Sequence, residues 1–260
     1  SMRNCKDRMD LTNVLLPVAR RLAEWEGGDM VKVFQVRMKI YFLECVPAEK
    51  IQAETAAFLD KGLVQDAEYA KLHEERIFKL YCFDSCYPVE RDKVYKKGKI
   101  YTLTVRTVDG NLAKYFVEHA VNGYTGTMKG ITAEVKVIPQ KHMDVLYTLT
   151  PVILKCEKGY WRDTLSVAQY EERLKVNLLK KWNQFSGKKM AEDFGMFTGI
   201  EFLNRCPVGV EYKGIRLLGD KLRLYIAENA SAQRLAQMAV GTGLGEINAR
   251  GYGYCNYHWI

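Results

Sequence analysis

The chain has 260 residues, of which 48% are hydrophobic and 27% are charged, and its formal net charge is +8. A chain of this length and hydrophobicity can bury a core, which excludes an intrinsically disordered protein. Its positive charge favours a polyanionic partner, most simply a nucleic acid. Seven cysteines without a Cys-x-x-Cys pair are typical of free thiols in a reducing cytoplasm. No apolar run is long enough to span a membrane, so we expect a cytoplasmic protein without a membrane partner.

The first half of the chain begins with residues 1–30, which we interpret as an N-terminal extension. Beyond it, alternating apolar and polar side chains predict strands, and apolar residues at helical spacing predict helices. The order that results, β-α-β-β-α-β, is that of the ferredoxin-like fold. The predicted elements are a strand over 36–42, a helical region over 47–75, strands over 78–83 and 99–107, a helix over 112–121 capped by Asn111, and a strand over 131–137.

The second half repeats this order of elements. Its predicted elements are a strand over 145–155, a helix over 166–185, strands over 200–207, 209–218 and 221–227, a helix over 231–240 and a strand over 252–259. The sequence therefore predicts an α+β protein with two tandem ferredoxin-like domains, residues 31–142 and residues 143–260. Two sheets with a basic surface between them suit a ligand that contacts both domains.

A glycine-rich loop lies between the last predicted helix and the last predicted strand. Glycine permits positive φ and close approach of another backbone, so unpaired N–H groups in such a loop can meet a phosphate. The dinucleotide fingerprint Gly-x-Gly-x-x-Gly does not explain the loop, because that motif follows a strand and opens a helix. The alternative is that the glycines only permit a tight turn. The residues expected to contact a nucleic acid are Gly243, Gly245, Arg250, Gly251 and Gly253.

The loop and the repeated fold together resemble the CRISPR repeat-processing endoribonucleases. These are tandem ferredoxin-like proteins of the repeat-associated mysterious protein superfamily. Their C-terminal signature is Gly-hydrophobic-Gly, about five residues and then Gly-aromatic-Gly, and residues 243–253 match it. Weaker agreement in order comes from residues 78–83, 96–101 and 150–153. The resemblance covers about residues 31–260.

The resemblance implies metal-independent cleavage of CRISPR repeat RNA, without a cofactor. A ribose 2′-OH attacks the adjacent phosphate, which leaves 2′,3′-cyclic phosphate and 5′-OH ends. Members of the family usually place a histidine just before the second strand, where His73 lies, and Lys79 matches a lysine that supports the reaction in some of them. A tyrosine of some active members falls near Phe58 here, and Tyr69 is the candidate substitute. The catalytic residues that the resemblance implies are therefore His73, Lys79 and Tyr69.

Three cations on the long helix of the second half are further candidates for RNA contact. We interpret Arg173, Lys180 and Lys181 as lying opposite the apolar stripe Tyr170–Phe185; the alternative is that they only solubilise the helix. The expected partner is the precursor transcript of CRISPR repeats, while contacts with effector-complex subunits and a homodimer stay open. Two rival functions also stay open: a non-catalytic repeat-binding subunit with the same fold, and an unrelated basic enzyme with a nucleotide cofactor.

Overall fold

The computed structural model describes residues 30–63 and 77–260, and these residues form twelve strands and four α-helices. The strands are β1 (Val33–Phe42), β2 (Val46–Pro47), β3 (Tyr81–Phe83), β4 (Val94–Tyr95), β5 (Ile100–Thr107), β6 (Met128–Ile138), β7 (Met143–Thr148), β8 (Phe197–Phe202), β9 (Val208–Tyr212), β10 (Ile215–Gly219), β11 (Leu222–Ile226) and β12 (Cys255–Trp259). The helices are α1 (Ile51–Leu63), α2 (Gly110–Asn122), α3 (Val167–Ser186) and α4 (Ala230–Thr242).

Two four-stranded antiparallel sheets carry the fold. One has the order β3-β5-β1-β6 and the other the order β12-β7-β11-β8. The first sheet therefore places the strands of its β-α-β-β-α-β unit in the order second, third, first, fourth. The second sheet has the same arrangement read from its opposite edge, and the β9–β10 hairpin is inserted before β11. The predicted fold class, two tandem ferredoxin-like units, is confirmed.

The strands predicted over 145–155 and 200–207 end already at Thr148 and Phe202, and two further local predictions are wrong. The strand predicted from Phe78 begins only at Tyr81, because Leu80 has a φ of 51°, which a strand does not tolerate. The cap of α2 is Asp109 and not Asn111: its carboxylate accepts hydrogen bonds from the backbone N–H groups of Asn111 and Leu112. An aspartate in this position satisfies N–H groups that have no partner inside the helix.

A hydrophobic core cluster with members from both sheets joins the two halves. Helix α4 packs against strands of both sheets, among them β1 and β5 of the first and β7 and β11 of the second. Gly241 allows this approach, because a Cβ there would lie 2.6 Å from Val108 and 3.1 Å from Val33. The core contains Val33, Val108 and Ile138 from the first half and Leu146, Leu174, Leu224, Leu235 and Leu244 from the second.

Arg106 makes the main polar connection between the sheets. Its guanidinium is 5% exposed and donates hydrogen bonds to Gln35 Oε1 at 3.0 Å, the Cys255 carbonyl at 2.6 Å and Asn256 Oδ1 at 2.8 Å. It also lies 4.5 Å from the ring centroid of Tyr254. A buried guanidinium needs such partners, so Arg106 fixes β5 of the first sheet to β12 of the second.

The predicted domains have limits at residues 30 and 142. The predicted extension, residues 1–30, lies outside the described residues except for Met30. The predicted boundary between residues 142 and 143 falls where β6 has ended and β7 begins. That boundary stays a prediction. Residues 31–260 form one compact unit, whose two halves share a hydrophobic core and the hydrogen bonds of Arg106.

Candidate functional site

A cleft of about 310 Å³ lies where the two halves meet at the glycine-rich loop. One wall is the segment before β3, residues 77–81, and another is the loop segment 246–250. Residues 212–213, at the tip of the β9–β10 hairpin, form a third side. The lining side chains include four cations, Lys79, Lys181, Lys213 and Arg250, and one carboxylate, Glu246. This excess of positive charge suits a phosphate group.

Lys79 lies in the first wall of the cleft and is half-buried. Burial lowers the pKa of its ammonium below the ordinary value. The Asp60 carboxylate raises that pKa, and the positive charges of Arg250 and Lys213 lower it further. Partial desolvation strengthens the interaction of a cation with an anionic ligand, so Lys79 is placed to act on a phosphate in the cleft.

Arg250 lies across the cleft, in the 3₁₀ turn Asn248–Arg250. Its Nη1 donates to Asp60 Oδ2 at 2.5 Å, and its side chain is still 31% exposed. The next residue is held as well, because Gln52 Nε2 donates to the Gly251 carbonyl at 2.7 Å. Both contacts come from α1, so a helix of the first half fixes the loop of the second half.

The glycines of the loop face the protein interior, which corrects the expectation that their N–H groups contact RNA. Gly243, Gly245, Gly251 and Gly253 are all buried. The N–H groups of Gly243, Gly251 and Gly253 donate to backbone carbonyls inside the protein. Because these donors are already used, the glycines shape the loop, and Arg250 is the loop residue of the prediction whose side chain lines the cleft.

Steric crowding explains why these positions are glycine. Their φ angles are 80° at Gly243, 69° at Gly245, 88° at Gly251 and 72° at Gly253, a region that other residues rarely adopt. A Cβ on Gly245 would lie 2.6 Å from the Ile153 carbonyl oxygen. The alternative interpretation of the glycines, a tight turn between helix and strand, is therefore the one that the geometry favours.

Lys181 does not lie on an exposed helix face, which corrects a second expectation. Its side chain is 1% exposed, and Nζ donates to the carbonyls of Gly243 at 2.9 Å and Gly245 at 3.0 Å and to Asn248 Oδ1 at 2.7 Å. Burial lowers the pKa of this ammonium to about 7. At about 100° per residue, Lys181 lies roughly 20° from Tyr170 on the same face of α3, and both side chains are buried. The expectation that Lys181 lies opposite the apolar stripe was therefore wrong.

The remaining predicted residues lie away from the cleft lining or outside the described residues. Lys180 is exposed on α3. Arg173 is half-buried and donates to Cys156 Sγ at 3.2 Å and to the Lys155 carbonyl at 3.1 Å. His73 and Tyr69 lie outside the described residues, so their roles stay predictions.

Sequence reasoning missed three residues that shape the cleft. Asp60 and Gln52 hold the loop from α1, and Lys213 lies at the tip of the β9–β10 hairpin. The hairpin itself had a signal: Lys213-Gly214, both with positive φ, connects two alternating strands, as a two-residue turn does. Nothing in the sequence placed this tip beside residues 77–81.

The C-terminal half of the chain matches a known family. Residues 132–257 match the family model described as "CRISPR associated protein Cas6, C-terminal". This half is similar to the C-terminal part of Cas6 proteins. The match covers α4, the whole glycine-rich loop and the first three residues of β12, and the predicted resemblance to CRISPR-associated repeat-processing proteins is confirmed.

Similar proteins extend the match to most of the chain. The "CRISPR-associated endoribonuclease Cas6 2" of Methanocaldococcus jannaschii is 22% identical over 226 residues, which are 80% of this chain and 92% of that protein. A solved structure titled "CRISPR associated protein Cas6" has a TM-score of 0.62 and 21% identity over 87% of this chain and 99% of its own. A Cas6-related protein from Pyrococcus furiosus has a TM-score of 0.61 and 17% identity over 87% and 98%. At these identities the two structures show a shared fold.

Three further features bear on the class of site. In residues 30–63 and 77–260, no helix combines the length and apolar character needed to cross a membrane. Within the same ranges, three or more His, Cys, Asp or Glu side chains are nowhere grouped so that they could hold a metal ion. The six cysteines of the described part of the chain are free thiols.

Proposed function

We propose that this chain is an endoribonuclease that binds CRISPR repeat RNA and cleaves it into guide RNAs. The observation that carries the proposal is the cleft in which Lys79, Lys213 and Arg250 converge. Preorganised cations in a partly desolvated site stabilise the charge that develops on a phosphate during cleavage. The Methanocaldococcus jannaschii relative, which carries the name of an endoribonuclease, supports the same reaction class.

The chemistry that we propose is attack of a ribose 2′-OH on the adjacent phosphate, without a metal ion. This reaction needs a proton acceptor, a proton donor for the leaving 5′-oxygen and positive charge near the phosphate. Lys79 supplies the charge. Because burial lowers its pKa, it is also a better proton donor than an ordinary lysine.

His73 is the proposed acid or base, because histidine titrates near neutrality. In the sequence it precedes Ile77, which lines the cleft, by four residues. Tyr69 is the proposed hydroxyl donor, since Phe58, the residue near the family's tyrosine position, has no hydroxyl and is buried.

We also propose that Arg250 contacts an RNA phosphate from the loop and that, outside the cleft, Lys180 and Arg173 extend the path along α3. Arg250 is the strongest of these candidates, because its guanidinium both lines the cleft and is 31% exposed. Arginine and lysine contacts with the phosphate backbone provide affinity without sequence information. The sequence of the repeat that is bound would be read by other groups.

Phe58 favours one alternative, a subunit that binds repeat RNA without cleaving it. A chain that lacks the hydroxyl at this position would keep the basic cleft and lose part of the catalytic apparatus. Such a subunit would bind the same RNA through Arg250 and Lys213 and would make no product. Binding and cleavage therefore have to be measured separately.

The test uses the repeat RNA transcribed from the CRISPR locus beside the encoding gene. The full-length chain is mixed in excess with labelled RNA in buffer containing EDTA, and the ends of any product are analysed. We expect a single cut with 2′,3′-cyclic phosphate and 5′-OH ends. His73→Ala should lower the single-turnover rate by roughly 10²- to 10⁴-fold and leave RNA affinity nearly unchanged.

The matched control is His142→Ala, which removes an exposed histidine from the connection between β6 and β7 and should cleave at the wild-type rate. A His73→Ala variant that cleaves as fast as the wild type would remove His73 from the mechanism. Dependence of cleavage on added magnesium would contradict the metal-free route. RNA binding without any cleavage would favour the non-catalytic subunit.

A further inference from the structure

Lys181 is a buried lysine whose hydrogen-bonding capacity is used by the glycine-rich loop. Its side chain is 1% exposed, and Nζ has three oxygen partners at 2.7 to 3.0 Å: two carbonyls and the side-chain oxygen of Asn248. A lysine ammonium has three N–H groups to donate. Burying such a group is unfavourable unless its donors are satisfied, and here the loop satisfies all of them.

The two carbonyls belong to Gly243 and Gly245, at the point where α4 has ended and the chain reverses. The carbonyls at a helix end have no partner within the helix, so Lys181 supplies one. Asn248 extends this network of hydrogen bonds, because its Nδ2 donates to the carbonyls of Leu244 and Tyr252, both at 2.9 Å. The hydrogen bonds of one ammonium group, that of Lys181, thus hold the loop in its conformation.

The contact between Lys181 and Asn248 affects the walls of the cleft. Asn248 opens the 3₁₀ turn that ends at Arg250, so the position of Asn248 sets the position of the Arg250 backbone. On the opposite wall, Gln184, one helical turn beyond Lys181, bonds both the N–H and the carbonyl of Phe78, at 2.9 and 2.8 Å. Phe78 precedes Lys79 in the chain. Helix α3 therefore contacts both walls of the cleft.

We propose that Lys181 is a positioning residue of the cleft, which fixes the segment from Gly243 to Asn248 and thereby holds Arg250 at the distance from Lys79 that a bound RNA phosphate requires. The role rests on the proposed function of the cleft in RNA binding. Lys181 is too deeply buried to touch RNA itself, so its effect must pass through Arg250.

A double-mutant cycle tests this dependence. The dissociation constant of full-length chain and repeat RNA is measured for the wild type, Lys181→Met, Arg250→Ala and the double variant, each with its melting temperature. Methionine has a similar length but cannot donate to the three oxygens. We expect Lys181→Met to raise the Kd by about tenfold, and by less than about twofold when Arg250 is already alanine.

Lys180→Met is the matched control, because it removes the same charge from the neighbouring, exposed residue of α3. Its effect on Kd should be the same in the presence and absence of Arg250. Equal effects of Lys181→Met in the two backgrounds would overturn the proposal, since a lysine that only stabilises the fold would behave in that way. If Lys181→Met does not fold, Asn248→Ala removes one of the three acceptors and enters the same cycle.

Failure of the proposed function is distinguishable from failure of this inference. A wild-type chain that binds repeat RNA but does not cleave it would contradict the catalytic proposal. The double-mutant cycle could still be measured, because it uses dissociation constants and not cleavage rates. If the wild type does not bind repeat RNA, the function is wrong and the role of Lys181 in RNA positioning falls with it. Amide hydrogen exchange over residues 243–253 should be faster in Lys181→Met than in Lys180→Met, and equal exchange would overturn the anchoring itself.

Discussion

Lys79 and Lys181 show how burial changes the use of the same side chain. Lys79 is half-buried at the cleft surface, with Asp60, Arg250 and Lys213 close enough to affect its pKa. Lys181 is fully buried and bonds only to oxygens of the loop. The first is placed to act on a ligand, and the second is placed to shape the site around it.

The lowered pKa of Lys79 predicts a limit on cleavage at high pH. A lysine that stabilises a phosphate must be protonated, so a lower pKa brings the loss of its charge closer to neutrality. We expect the single-turnover rate to fall on the alkaline side of its optimum, by up to about tenfold for each pH unit above that pKa. Lys79→Arg should remain active to higher pH, because a guanidinium keeps its proton.

The measurement is the single-turnover rate with protein in saturating excess over repeat RNA between pH 6 and 9.5, corrected for hydrolysis without protein. Lys213→Arg, at the tip of the hairpin beside the cleft, is the control and should leave the alkaline fall where it is in the wild type. An alkaline fall in Lys79→Arg at the same pH as in the wild type would show that another group causes it.

At the scale of the elements, the glycine-rich loop owes its conformation to backbone crowding. A Cβ on Gly253 would clash with the Leu244 carbonyl oxygen, and its φ is 72°. We expect Gly253→Ala to lower the free energy of unfolding by several kcal/mol, because neither backbone segment can move without disturbing the other. Urea unfolding measures this change.

Gly187→Ala separates the two causes of that destabilisation. Gly187 follows α3 with a similar φ of 67°, but nothing lies within 4 Å of the Cβ it would gain. Its substitution should therefore cost only about 1–2 kcal/mol, the price of the left-handed conformation. Equal losses in the two variants would mean that crowding at Gly253 is relieved elsewhere in the loop.

Local patterns predicted the elements well where the elements depend on local causes. The helix predicted over 231–240 is Ala230–Thr242, and the one predicted over 166–185 is Val167–Ser186, capped by Ser166. The strand predicted from Phe78 failed because Leu80 has a positive φ and because the backbone of Phe78 bonds to the side chain of Gln184, 106 residues away. A periodicity of neighbouring side chains carries no information about a partner so distant in sequence.

The same limit applies to the candidate site: features with local causes were predicted from the sequence, and features that depend on distant residues were not. The spacing of the glycines located the loop and Arg250, but not the direction in which the loop faces. That direction depends on contacts between residues far apart in sequence: Lys181 with Gly243, and Asp60 with Arg250, which are 190 residues apart. The expectation of free glycine N–H groups therefore failed, while the predicted contact of Arg250 with RNA stays a prediction.

At the scale of the whole molecule, the cleft exists only while the two sheets keep their relative position. Its walls come from the segment before β3 and from the loop before β12. The shared core and the hydrogen bonds of Arg106 hold these parts together. Rigid connection of the halves is thus a condition for the convergence of Lys79 and Arg250.

Arg106→Met tests this connection, because it leaves Gln35, Asn256 and the Cys255 carbonyl without their common donor. We expect the free energy of unfolding to fall by about 3 kcal/mol or more. The described tryptophans all lie in the second half, at 161, 182 and 259, so with Trp25→Phe as background their fluorescence reports on that half, while far-UV circular dichroism reports on both. The two urea transitions should coincide in the wild type and separate in Arg106→Met.

Arg37→Met is the matched control for this prediction, because Arg37 lies on β1 of the same sheet with a side chain that is 48% exposed and an ion pair to Glu134 at 3.6 Å. Exposed ion pairs contribute little, so its loss should change the free energy of unfolding by no more than about 0.5 kcal/mol and leave the transitions coincident. Coincident transitions in Arg106→Met at the wild-type midpoint would mean that the hydrophobic core alone joins the halves. The position of Arg250 relative to Lys79 would then depend on α4 and its packing against β1, and not on the polar contact between β5 and β12.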